Sequence, residues 1–176
     1  MTAGPTLRRA TRADLDAIMA LETSIFVTDA WSSAGMASEL AGEHSHYLVA
    51  DDDGEVVAYG GLRAVSGSLD ADIQTIAVAP GHRRHGLGRR LMVAMIEEAA
   101  SRGVRDVFLE VRADNPNAQQ LYRSLGFEAL AVRPHYYQPD DVDAVVMRLI
   151  LPSPDSVGGG DGVGSASERS QSEGIA

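Results

Sequence analysis

Arg83-Arg84-His85-Gly86-Leu87-Gly88, set between the apolar run Ile76-Ala77-Val78 and the helical run from Arg89 to Ala100, constrains the folding of this chain more than any other stretch. Glycines at 86 and 88 let the backbone come close to a ligand where a helix begins. The first N–H groups of a helix have no internal partners and carry the positive end of its dipole, so such a start suits phosphate or pyrophosphate. No Lys-Ser or Lys-Thr follows the second glycine, which excludes the nucleotide-hydrolysing phosphate loop and its magnesium-holding hydroxyl. The dinucleotide fingerprint is excluded too, because it needs a third glycine and an acid about 20 residues on. A pyrophosphate cradle of another kind remains.

Periodicity places the rest of the chain around this cradle. A short strand is expected near Thr6 to Ala10. Thr11-x-x-Asp14 resembles a capping box with aspartate in the usual Glu or Gln position, and Leu15, Ile18, Met19, Ile25 and Phe26 follow at helical spacing. A shorter helix is expected from Ser32 or Ser33 to Ala41. Tyr47 to Ala50, Glu55 to Val65 and Asp70 to Val78 read as strands of an antiparallel meander, the first two joined at Asp53-Gly54. The period turns helical at Gly86 until Gly103 ends it. Asp106 to Arg112 alternates, with Val107, Leu109 and Val111 on one face and Phe108, Glu110 and Arg112 on the other. Asn115-Pro116 supplies a cap and a first-turn proline for a helix stopped by Gly126. Phe127 to Arg133 and Ala144 to Leu151 are the expected closing strands. The sum is an α/β sandwich around a mixed sheet, one domain over residues 1–151. Residues 152–176, acidic and rich in Gly and Ser, have almost nothing to bury and are expected to form a disordered tail.

A single core fits a chain of 176 residues with 44% hydrophobic content. No apolar run approaches the roughly 18 residues of a membrane span, and residues 1–15 lack the apolar core of a secretory signal. A soluble, cytoplasmic protein without a membrane partner is therefore expected, and as a monomer. The absence of cysteine excludes disulfides, thiolate catalysis and zinc ribbons. A net charge of -10 argues against nucleic acid as a partner, and 21 acids against 14 bases remain when the tail is set aside. Cationic partners are favoured instead. His82 and His85 make a loop His-x-x-His with neither cysteine nor a zinc-protease motif, so no metal is expected.

The blocks Ile76-Ala77-Val78-Ala79-Pro80, Arg83-x-x-Gly86-x-Gly88, Leu109-Glu110-Val111-Arg112-Ala113, Asn115 and Leu121-Tyr122-x-x-x-Gly126-Phe127, in this order within residues 6–150, resemble the GNAT N-acetyltransferase superfamily. The resemblance is greatest to its RimI-like branch, the ribosomal-protein alanine N-acetyltransferases. It implies the GNAT fold, a mixed and mostly antiparallel central sheet flanked by helices, whose splayed strands bind acetyl-CoA as co-substrate. It implies Ile76, Ala77 and Val78 along the pantetheine, the loop Arg83, Arg84, His85, Gly86, Leu87, Gly88 and Arg89 around the pyrophosphate, and Asn115 and Tyr122 beside the cofactor.

Acetyl transfer from a thioester to an amine needs a neutral amine, a donor for the carbonyl oxygen as it turns anionic, and a proton for the departing thiolate. An α-amine titrates near 7.7 to 8.0 and a lysine near 10.4, so neutralising the lysine costs roughly 4 kcal/mol more. A single carboxylate suits an α-amine better. The resemblance gives the base role to Glu110, an oxyanion-binding amide to Val78, and the general-acid role to Tyr122. A solvated strand face would also account for Glu110, and packing with Ala118 and Leu125 for Tyr122. Glu22, between Ile18 and Ile25, is either a paired buried acid or a cleft residue. Glu22, Trp31, Tyr136 and Tyr137 resemble the substrate-binding parts of the family, with Ala30 in place of the proline that usually precedes the tryptophan; the two tyrosines would equally cover a sheet edge. The implied substrate is a protein N-terminus, the alanine of a small-subunit ribosomal protein. Acetylation of lysine or of a small-molecule amine is the first alternative, and a non-catalytic acyl-CoA sensor the second.

Overall fold

A computed structural model describes residues 3–153. The elements follow as β1 (Thr6–Arg9), α1 (Leu15–Ile25), α2 (Ser33–Ala41), β2 (Ser45–Asp52), β3 (Glu55–Arg63), β4 (Asp70–Val78), α3 (Leu87–Ser101), β5 (Asp106–Arg112), α4 (Pro116–Ser124), β6 (Glu128–Tyr137) and β7 (Val142–Ile150). The strands form one sheet in the order β1-β2-β3-β4-β5-β7-β6.

Local chemistry starts the helices where the capping signals lie. The Thr11 N–H donates to the Asp14 carboxylate at 2.8 Å, and Arg8 donates to both of its oxygens at 2.9 and 2.8 Å. This pairing with Arg8 holds the Asp14 carboxyl below the usual range. A turn of 3-10 helix, Arg12–Asp14, intervenes before α1. The Ser32 hydroxyl accepts the Gly35 N–H at 3.0 Å and opens α2.

The meander forms as expected, with β1, β2, β3 and β4 antiparallel in turn. β4 and β5 run parallel, but they pair only from Asp70 opposite Asp106 to Ile73 opposite Leu109. Beyond that point the two strands part, while β5 stays paired to β7 along its length, from Asp106 opposite Ile150 to Arg112 opposite Ala144. The sheet therefore opens between the C-terminal halves of β4 and β5. One core lies under α3, where Leu91, Met92, Met95 and Ala99 pack on Ala58, Leu62 and Val107. The other lies under α1 and α2, where Ile18 and Met36 meet Tyr47, Val49, Tyr59 and Ala77. Each fully buried aliphatic side chain contributes roughly 1.5–3 kcal/mol.

Four strands differ from expectation by two or more residues at an end, β7 among them because it begins at Val142 rather than Ala144. β2 extends two residues further at each end, β3 stops at Arg63, and β6 continues through Tyr137. Pro134 does not break β6 because that strand lies at the sheet edge, where a missing N–H leaves no ladder bond unmade. Between Arg133 and Tyr137 β6 advances four residues while β7 advances two, from Ala144 back to Val142, so the strand bulges. Just after β7, Leu151 is buried and its N–H donates to the Arg105 carbonyl at 2.7 Å; from residue 154 onward the expected tail lies outside the described residues. Among the described residues no helix is long and apolar enough to cross a membrane.

Candidate active site

The parted strands leave the edge of β4 open. The Ala79 N–H donates to the Val57 carbonyl at 2.8 Å, which fixes the alternation of the β3–β4 ladder. Residues 77 and 79 then direct their backbone groups at β3, and Ile76 and Val78 direct theirs into the gap. The Val78 carbonyl accepts the Arg83 Nε–H at 3.0 Å on that side. The side chains alternate with equal consequence: Ala77 is buried under α1, while Ile76 and Val78 pack toward α3 and α4.

The loop after β4 divides its residues between cleft, core and solvent. Gly86 takes a left-handed φ of 79° to turn the chain into α3. Arg83 and Gly88 line the cleft. Leu87 instead enters the core, and Arg84 and His85 are exposed and point no group into the cleft lining. The Arg89 guanidinium donates to the Ser124 hydroxyl at 2.6 Å and ties α3 to α4. His82 faces Asp52 at 3.3 Å rather than His85. A methyl group on Gly88 would lie 3.4 Å from Leu121 Cδ2, an ordinary contact. Packing alone thus leaves room for alanine at 88, and glycine keeps a cradle open at the start of α3.

From this cradle a cleft of about 490 Å³ follows Ile76, Ala77 and Val78 to Asn115, Tyr122 and Glu110. Asn115 Oδ1 accepts the Ala118 N–H at 3.2 Å, capping α4. Tyr122 is almost wholly buried, edge-on to Phe127 with ring centroids 6.1 Å apart. Burial pushes its phenol up to about 12, so the hydroxyl keeps its proton at neutral pH. Glu110 points into the cleft from the face of β5 opposite Leu109. It pairs with Arg133 at 3.2 Å, and its proximity pushes the Tyr136 phenol up.

A second cleft, about 690 Å³, lies beyond Glu110 and is walled by Trp31, Gln74, Tyr136 and Tyr137. The two tyrosines stand edge-on, 5.1 Å apart. Glu22 is 1% exposed; its Oε1 accepts the Trp31 N–H at 3.0 Å, and its Oε2 has no hydrogen-bond partner among the described residues. Desolvation raises its pKa. Glu22 is thus buried at the wall of the cleft and holds the backbone of Trp31, with no cation paired to it among the described residues.

Arg133 belongs to the segment Arg133-x-x-Tyr136-Tyr137, which resembles the family's peptide-binding part, whereas no motif of the sequence points to Gln74. The Tyr47 hydroxyl donates to Gln74 Oε1 at 2.9 Å and fixes this side chain, which lines both clefts. Strand alternation with Asp72 was the available signal for Gln74. For Arg133 the resemblance points to the segment but not to the pairing with Glu110, because that partner lies on a strand more than twenty residues away. Among the described residues no group of three or more His, Cys, Asp or Glu is placed to hold a metal.

The Acetyltransferase (GNAT) family matches residues 15–127. The chain is 38% identical over 146 residues to the N-alpha-acetyltransferase RimI of Mycobacterium tuberculosis, covering 81% of this chain and 90% of that protein. Over 122 residues it is 38% identical to the ribosomal protein bS18-alanine N-acetyltransferase of Escherichia coli, covering 68% and 80%. It superposes on the crystal structure of the ribosomal-protein-S18-alanine N-acetyltransferase from Escherichia coli with a TM-score of 0.78 at 33% identity, over 87% of this chain and 98% of that one.

Proposed function

Since the chain belongs to the GNAT acetyltransferase family and is an acetyl-CoA-dependent N-acetyltransferase, we propose that it acetylates the N-terminal α-amine of a protein, with the alanine of a small-subunit ribosomal protein as substrate. The observation that carries this reading is the position of Glu110, which borders both clefts. One cleft begins at the bare start of α3, and the other is walled by aromatic rings suited to flank an extended chain end.

The thioester of acetyl-CoA supplies an acetyl group already activated for transfer. Gly88 and Arg83 hold the pyrophosphate at the start of α3, and the gap-facing backbone of Ile76 and Val78 binds the pantetheine. Glu110 accepts the amine proton, directly or through water, with Arg133 fixing one carboxylate oxygen. The Val78 N–H donates to the carbonyl oxygen as negative charge develops there. Tyr122, kept protonated by burial, gives its proton to the leaving sulfur and regains one from solvent. Trp31, Tyr136 and Tyr137 enclose the substrate end, and Glu22 holds Trp31 in place.

The test is thiol release from acetyl-CoA with peptides starting Ala-Arg, free or blocked at the N-terminus, beside an internal-lysine control, with the acetyl group located by fragment mass. Acetyl on the free N-terminus alone is the expected result. Glu110→Gln should lower kcat by about 10²–10⁴. Acetyl on lysine would replace this reading with a side-chain enzyme, and acetyl-CoA binding without transfer to any amine would replace it with a sensor.

A further inference from the structure

Arg112 is the last residue of β5 and shares a face with Glu110, so it emerges at the rim of the cleft. Its guanidinium is the meeting point of three separate segments. Nε and Nη2 donate to the two oxygens of Asp114 at 3.0 and 3.1 Å. Nη1 lies 3.6 Å from Asp29, in the segment between α1 and α2, and Nη2 lies 3.3 Å from Asp140, in the turn between β6 and β7. The guanidinium also sits 5.2 Å from the centre of the Tyr137 ring. The two outer segments touch directly as well, for the Thr28 hydroxyl donates to Asp140 at 2.7 Å. The pivot itself is fixed from behind: Gln119 Nε2 donates to the Arg112 and Ala113 carbonyls at 3.1 and 3.2 Å.

Three carboxylates therefore surround one cation. With arginine present they are drawn together; without it Asp29, Asp114 and Asp140 would repel one another across the rim. Lysine could not replace the grip, because a point charge lacks the planar fork that holds Asp114 by two bonds while reaching both other acids. The segments that Arg112 gathers are the ones that carry Trp31 and Tyr137 to the aromatic cleft.

We propose that Arg112, itself at the edge of the first cleft, is a positioning residue that latches the α1–α2 segment to the β6–β7 turn, and so sets the shape of the amine-side cleft through the segments that carry Trp31 and Tyr137. This rests on reading the aromatic cleft as the place of the incoming N-terminus. The latch makes two separable demands. Loosening it should free both segments whatever the substrate is, and it should weaken peptide binding more than chemistry.

The experiment compares wild type with Arg112→Met, which keeps the aliphatic stem, and with the double variant Asp29→Asn/Asp140→Asn, which removes the outer partners and leaves the Arg112–Asp114 pair. Amide hydrogen exchange is measured over residues 26–32 and 137–143, alongside KM for peptide, KM for acetyl-CoA and kcat. The expected result is faster exchange in both segments and a peptide KM raised about tenfold, with the acetyl-CoA KM within about twofold and kcat within about threefold. Unchanged exchange in residues 26–32 of both variants would overturn the latch. So would a fall in kcat at constant peptide KM, which would make Arg112 part of the chemistry, or an equal rise in both KM values with a lowered melting point, which would make it a general support. If wild type modifies no N-terminal peptide while both segments still loosen in the variants, the latch stands and the proposed substrate falls.

Discussion

Tyr122 and Glu22 are both buried and both hold their protons more tightly than in water, yet the consequences run in different directions. For Tyr122 the retained proton is what a general acid needs. Tyr122→Phe preserves the ring and its edge contact with Phe127, so the melting point should move by only a few degrees while kcat falls about 10² or more. Undiminished turnover would remove the acid role. For Glu22 the raised value means that the folded state binds the proton more tightly than the unfolded chain. Its stabilising contribution is present below the ordinary carboxylate value and is lost as pH rises through the raised one. Glu22→Gln keeps an oxygen for the Trp31 N–H and removes the charge. Urea unfolding should find it more stable than wild type at about pH 8, the difference shrinking toward about pH 4. Wild type matching or exceeding the variant at the higher pH would show that the buried charge has a partner. Asp14 has the opposite sign: Arg8 depresses its pKa, so its contribution is present above the ordinary carboxylate value and is lost on acidification. Asp14→Asn should accordingly flatten the acid limb of stability.

At the scale of elements, the two glycines of the cradle separate fold from ligand. Gly86 sits at φ 79°, where a side chain is strained, so Gly86→Ala should cost about 1 kcal/mol of stability. Gly88 lies inside α3 with room for a methyl group, so Gly88→Ala should hold or raise stability by up to about 1 kcal/mol. Its KM for acetyl-CoA should nevertheless rise; an unchanged KM would move the pyrophosphate elsewhere. What sequence reveals follows the same division between local and distant causes. β5 and α4 were legible because alternation from Asp106 to Arg112 and the Asn115-Pro116 cap are written within a few residues. The run of β6 through Tyr137 was not, since Pro134 reads as a breaker and an exposed edge strand has no buried side to impose a period. The face shared by Glu110 and Arg112 followed from parity alone. Their partners did not, because Arg133 and Asp29 reach them only through the closed sheet. Whether Glu22 had a counter-charge was likewise undecidable from spacing, which gives a residue's face and not what lies across from it.

For the whole molecule the decisive feature is the parting of β4 from β5 after Ile73 and Leu109. Folding completes the sheet on either side and leaves the C-terminal half of β4 without a strand partner on its β5 side. On the proposed placement the acetyl donor takes that side, so acetyl-CoA should protect the amides of Ile76 and Val78 from exchange. At a hundredfold excess over Kd it should stabilise the fold by about 2.7 kcal/mol. The nucleotide end of the donor alone should protect the start of α3 and leave those two amides exchanging; equal protection by both ligands would put the pantetheine outside the gap. An unfinished sheet also means that donor binding and resistance to local opening should rise together. On the proposed placement, limited proteolysis should therefore cut along this seam faster without acetyl-CoA than with it.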